Sequence, residues 1–222
     1  MKTHYQAYLF DLDGTLVDTA PDLGEALNVS LRETGVPGVT TDQARQWIGR
    51  GARYSLIQAL EYFELALEQT AVDALLEKFL NYYAEHIADL SKPYDGVVYT
   101  LGALHDAGRK LAVVTNKPTR FTMPLLSALA LDAYFSSVVC GDTAAQPKPA
   151  ADPILLCLSE LTVPAYQALM VGDSSVDVEA AKAAGVDVAC FSGGYNHGID
   201  VYSLKPNLVF DDMREILAAS PV

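Results

Sequence analysis

Residues 7–18 read AYLFDLDGTLVD, and no other stretch limits the fold so tightly. Four apolar residues, Ala7-Tyr8-Leu9-Phe10, stop at Asp11, and Asp13, Gly14 and Thr15 follow at once. A short apolar run closed by a turn signal is how a strand buried on both faces of a parallel sheet reads. If the backbone stays extended past Phe10, residues two apart point the same way, so Asp11 and Asp13 share one side. The carboxyl edge of an open α/β sheet is also its usual ligand crevice. Two acids there repel unless a cation sits between them or one keeps its proton. A polar strand end with an Asp-Gly turn explains the same letters without chemistry, and only the rest of the chain separates the two readings.

A chain of 222 residues can form one large α/β domain or a core carrying a smaller insert. Half the residues are apolar and 19% are charged, a composition for a folded globule. The net charge of −13 argues against nucleic acid or an anionic membrane as partner. An anionic small substrate meets the same field, so its site needs a local cation or aimed backbone amides. Cys140, Cys157 and Cys190 are odd in number and widely spaced, which supports neither a disulfide framework nor a zinc site. MKTHYQAYLF contains no signal-peptide apolar core, and no run of about 20 apolar residues occurs. The expectation is a soluble cytoplasmic protein, monomer or homodimer.

Residues 20–90 lack strand-like runs and read as helices over 22–34, 41–48, 52–62 and 67–86, with Thr40 or Thr41 capping the second. A helical block of about 70 residues is too long for a βα crossover. It is expected to be an inserted cap, residues 19–90, on a core made of 1–18 and 91–222. Beyond it the pattern alternates. Strands are expected at 110–114, 137–140, 168–171 and 186–191, with helices at 100–107, 120–130, 152–161 and 176–184. Ser174 or Ser175 can cap the last helix, and Gly185 can end it. Alternating units imply a Rossmann-like, doubly wound parallel sheet in the α/β class.

Polar residues gather where these strands end: Asp11 and Asp13, Thr115 and Asn116, and Asp173 with Asp177, while Lys148 lies in a loop after the third strand. Carboxylates suit Mg²⁺, which takes one or two of them plus substrate oxygens and water. A lysine and backbone N–H groups suit phosphate oxygens.

FDLDGTLVD (10–18), VVTNKP (113–118), Lys148-Pro149 and VGDSSVD (171–177) resemble the four ordered motifs of the haloacid dehalogenase superfamily. Within it the chain is most similar to bacterial phosphoglycolate phosphatases, through DTAPDL (18–23), QWIGRGA (46–52), TNKPTRF (115–121) and GGYNHG (193–198). The resemblance implies a Mg²⁺-dependent phosphomonoesterase converting a small phosphorylated metabolite, 2-phosphoglycolate, to glycolate and phosphate. It implies Asp11 as the nucleophile that becomes an aspartyl-phosphate. Mg²⁺ would be held by Asp11, the Asp13 backbone carbonyl and Asp173, with Asp177 holding a metal-bound water. Asp13 would protonate the leaving alkoxide and later take a proton from water. Thr115, the Asn116 amide and Lys148 would hold the phosphoryl oxygens. One departure stands out: Lys148-Pro149-Ala150-Ala151 replaces a KPHP-like string.

Other readings carry some of the same features. Asp177 near a helix start is equally explained by the helix dipole. Arg45, Arg50 and Arg53 are candidates for a substrate carboxylate, against the ordinary role of solvated surface arginines. Tyr195 and His197 read as loop residues rather than catalysts. A phosphosugar mutase, another small-metabolite phosphatase and a phosphoacceptor signalling domain all use a strand-end Asp with Mg²⁺. A dehalogenase needs no leaving-group acid, so Asp13 counts against it.

Overall fold

The structure, a computed structural model, describes residues 5–218. Its strands are β1 (Ala7–Phe10), β2 (Val17–Asp18), β3 (Lys92–Pro93), β4 (Lys110–Val114), β5 (Ser137–Val139), β6 (Ala168–Gly172), β7 (Asp187–Phe191) and β8 (Leu208–Phe210). The helices before β3 are α1 (Ala20–Leu31), α2 (Thr41–Trp47), α3 (Ala52–Tyr62) and α4 (Gln69–Glu85). Those after it are α5 (Val97–Asp106), α6 (Thr119–Ala128), α7 (Asp152–Leu161), α8 (Ser175–Ala184) and α9 (Glu215–Ala218).

Six strands form one sheet in the order β5-β4-β1-β6-β7-β8, with every neighbouring pair parallel. The chain winds outward from β1 first to one side and then to the other, so β1 stands at the switch point, where such sheets open a crevice. The doubly wound α/β fold expected from the alternating pattern is the fold observed. Alternation within each strand sorts its side chains into two layers. Tyr8, Phe10, Leu111, Val113, Leu169 and Val171 pack with α5, α6 and α9. Leu9, Ala112, Val114 and Met170 pack with α7 and α8 through Ile154, Cys157, Val178 and Ala181. Both layers are dry, which is why β1, β4 and β6 read as unbroken apolar runs.

Helices α1 to α4 share a further apolar cluster that includes Leu27, Trp47, Leu56, Leu60 and Phe79. They leave and rejoin the sheet through a short antiparallel ribbon in which Val17 pairs with Pro93 and Asp18 with Lys92. The buried Asp22 carboxylate fastens the return, accepting hydrogen bonds from the backbone of Leu90 (2.9 Å) and from the Ser91 backbone (2.7 Å) and hydroxyl (2.5 Å). Thr40, not Thr41, caps α2, in a reciprocal box with Gln43.

Some elements lie outside the expectation. The ribbon strands are two residues each, too short for any periodicity. Strand β8 spans three residues after a Lys-Pro pair and gains its status from parallel pairing with β7. Helix α5 starts at Val97, three residues before the expected start. Two adjacent valines disfavour a helix locally, but burial of Val97 in the core outweighs that preference. Among the described residues no helix is long and apolar enough to cross a membrane.

Leu9 lies in the central strand and is fully buried. Leu9→Ala should lower unfolding free energy by about 2–5 kcal/mol, read as a drop in the urea midpoint at unchanged slope.

Candidate active site

Register brings the strand tips together. Phe10 pairs with Val113 on one side and Val171 on the other, so Asp11 comes level with Val114 and Gly172, and Thr115 and Asp173 follow one position further along. The Asp11 N–H still bonds Val171 O at 2.9 Å, and only then does the chain turn. Gly14 makes that turn at φ 85°, and a Cβ on it would fall 2.6 Å from Asp173 Oδ2.

Asp11, Asp173 and Asp177 each place a carboxylate oxygen within 4.8 Å of the others. Asp11 Oδ1 accepts from the Leu12 N–H at 2.7 Å and pairs with Lys148 Nζ at 3.0 Å. Asp173 accepts from Thr15 Oγ1 and from the Tyr195 N–H, both at 2.6 Å. Asp177 Oδ2 accepts from the Ser174 N–H (3.1 Å) and hydroxyl (2.8 Å) at the start of α8, as a helix-cap acid would. Its Oδ1 takes Lys148 Nζ at 2.7 Å. One Asp177 oxygen thus serves the helix start while the other meets the lysine.

Lys148 is buried, with Nζ also donating to Val114 O at 2.7 Å. Its backbone is clamped by the Asn116 side chain, which donates to Lys148 O and accepts from Lys148 N, each at 2.9 Å. The clamp grips main-chain groups, so the Ala150-Ala151 departure does not displace the lysine. Asp13 turns to a different partner. Lys117 Nζ lies 3.0 and 3.2 Å from its two oxygens, and Thr19 Oγ1 donates to Oδ1 at 2.7 Å. The Asp13 carboxylate is thus outside the three-acid cluster, although both aspartates line the same cavity of about 220 Å³. Thr115 lines it too, and Ile48, Phe79 and Tyr83 wall its far side.

Burial pushes the Asp11 carboxyl up to about 7; the Lys148 ammonium pulls against this, and the Asp177 charge adds to it. Asp173 is raised well above the usual carboxylate range, again by burial first and then by Asp177 and Asp11. Burial works against the charge on Lys148, yet facing Asp11 and Asp177 leaves it firmly protonated. One ammonium thus pairs with two members of a cluster of three acids. A further cation fits this excess, and oxygen donors without histidine or cysteine suit a hard divalent ion.

Lys117, Thr15, Thr19 and Tyr195 carry contacts that spacing did not single out. Thr15 and Lys117 stand inside the strand-end strings, but no periodicity says which polar neighbour turns inward. Tyr195 lies far along the chain and meets Asp173 through its backbone, which leaves no mark in residue type. Its hydroxyl donates to Asp18 at 2.6 Å and accepts from the Ala20 N–H at 2.9 Å. Of the arginines considered for a carboxylate, Arg45 pairs with Asp18 and Asp42, Arg53 with Asp73, and Arg50 lies over the Tyr54 ring.

Comparison with known proteins gives a consistent likeness. The family model for haloacid dehalogenase-like hydrolases matches residues 8–191. Phosphoglycolate phosphatase 1 of Pseudomonas aeruginosa is 43% identical over 213 residues, covering 94% of this chain and 77% of its own. The phosphoglycolate phosphatase of Haemophilus influenzae strain 86-028NP is 37% identical over 221 residues, covering 98% and 99%. The crystal structure of a predicted phosphoglycolate phosphatase from Haemophilus somnus superposes with a TM-score of 0.91 at 34% identity, over 96% of this chain and 97% of that one.

Because a cation must displace the proton that burial favours on Asp11, its affinity should depend on pH. With Asp11 titrating at about 7, Mg²⁺ should bind roughly tenfold more weakly at pH 6 than at pH 8, with proton release. Calorimetry in buffers of different ionisation enthalpy would read both; a pH-independent affinity would contradict the assignment of Asp11 to the cation.

Proposed function

The chain belongs to the haloacid dehalogenase-like hydrolase family, and from that premise we propose that it hydrolyses 2-phosphoglycolate through a phosphorylated Asp11. It is a phosphoric monoester hydrolase. The observation that carries the proposal is the convergence of Asp11, Lys148, Asp173 and Asp177 at the switch point of the sheet.

Asp11 Oδ1 is engaged by Leu12 and Lys148, so Oδ2 is the oxygen to attack phosphorus. As the P–O ester bond breaks, Asp13 gives its proton to the departing alkoxide and glycolate leaves. Water then attacks the aspartyl-phosphate, returning a proton to Asp13, and phosphate departs with Asp11 restored. Lys148 and the Thr115 hydroxyl face the phosphoryl oxygens, where charge stabilisation supplies most of the rate. The Asn116 side chain is committed to the Lys148 loop, so any phosphate contact falls to its backbone N–H. Mg²⁺ held by Asp11, the Asp13 carbonyl and Asp173, with Asp177 behind, would offset the repulsion between nucleophile and phosphate.

The helical block, residues 19–90, acts in this reading as a cap over the site. Its Ile48, Phe79 and Tyr83 wall the cavity and exclude bulk water. The small cavity suits an ester of a few atoms.

A phosphate-release screen over small phosphate esters, with and without Mg²⁺, tests the proposal: 2-phosphoglycolate should rank first and turnover should need the ion. Asp11→Asn should abolish turnover with an unchanged melting temperature. Asp13→Asn should lower kcat by about 10²–10⁴-fold, and a loss under tenfold would move the acid role elsewhere.

A further inference from the structure

Lys117 takes no part in these steps, yet it is a buried ammonium on the cavity wall. It projects from the tip of β4, two residues beyond Thr115, and its Nζ lies between the Asp13 carboxylate and the ring of Tyr83, 4.7 Å from the ring centroid. We propose that Lys117 recognises a negative charge on the leaving group, and so selects esters whose alcohol carries a carboxylate beside the ester oxygen. This inference rests on the reading of the chain as a 2-phosphoglycolate phosphatase with Asp13 as its acid.

The geometry follows from Asp13. To protonate the leaving oxygen, Asp13 must approach it to about 2.6–3.2 Å. Lys117 Nζ is 3.0 and 3.2 Å from the two Asp13 oxygens, so it lies next to whatever that oxygen is attached to. In an O–CH₂–COO⁻ group, bonds of about 1.5 Å put the carboxylate oxygens about 3 Å from the ester oxygen. Acid, ester oxygen, carboxylate and ammonium thus close a small ring with each separation at hydrogen-bond length.

The other cations on the wall are engaged elsewhere. Arg53 is half exposed and paired with Asp73, and Arg120 stacks on Phe121 at 4.6 Å. His197 meets the Gln46 carbonyl through Nδ1 at 3.0 Å. Lys148 serves the opposite side, bonded to Asp11 and Asp177. A trianionic ester in a chain of net charge −13 needs a cation at each end, and Lys148 and Lys117 are placed to supply them.

The test compares kcat/KM for 2-phosphoglycolate and for 2-hydroxyethyl phosphate, which keeps the ester linkage and replaces the carboxylate with a neutral hydroxymethyl group. The unmodified enzyme should prefer the carboxylate ester, and Lys117→Met should cut that preference roughly 10- to 100-fold. Lys117→Gln serves if the methionine variant does not fold, with melting temperatures measured for both. Equal losses on the two esters would overturn the proposal and leave Lys117 as a counterion of Asp13. Equal rates on the two esters in the unmodified enzyme would overturn it without any variant. No turnover of 2-phosphoglycolate at all would sink the underlying reading instead, and this inference with it.

Discussion

One ammonium ties together two of the three clustered acids. Lys148 Nζ reaches Asp11, Asp177 and the carbonyl of Val114 from a fully enclosed position, and among the described residues no other cation pairs with those carboxylates. Burying such a group costs several kcal/mol of lost hydration, which only well-made hydrogen bonds offset. The fold makes them by convergence: Asp11 from β1, Asp177 from the first turn of α8, and the lysine from a loop pinned by Asn116. The arrangement remains short of positive charge. That shortage is a property of the side chains themselves, and it is what a divalent cation would correct.

The sheet follows from the same economy of placement. Strand β1 has a partner on each side and helices on both faces, so its tip has only one direction in which to be polar. Asp11 there is held by main-chain register rather than by a flexible loop, which keeps its carboxylate within small tolerances.

Much of this was legible in the residues. Apolar runs ending in Asp11, Thr115 and Asp173 marked the central strands, because burial on both faces demands such runs and register then aligns their ends. The four helices between β2 and β3 were legible as a long stretch without strand-like runs, and the β2–β3 ribbon flanks them. What stayed hidden depended on long-range pairing. Strand β8 exists only by addition to β7, and the ribbon only by the meeting of residues 17 and 93. The partnership of Lys117 with Asp13 spans 104 positions, and no local pattern encodes it. The contact of Tyr195 with Asp173 is made by a backbone N–H, which every residue but proline possesses.

The switch-point position of β1 also bears on how the chain is made. Ala7 finds one neighbour at Lys110 and the other at Ala168, so β1 has neither edge covered until Lys110 is made and lacks its second neighbour until Ala168. Translation at about 5–20 residues per second makes that wait several seconds or longer. During it the intervening helices can consolidate from local contacts, which form fast, while β1 remains a bare apolar ribbon. A strand that waits so long for both partners is open to pairing with other chains, and its brevity, four residues, limits that hazard.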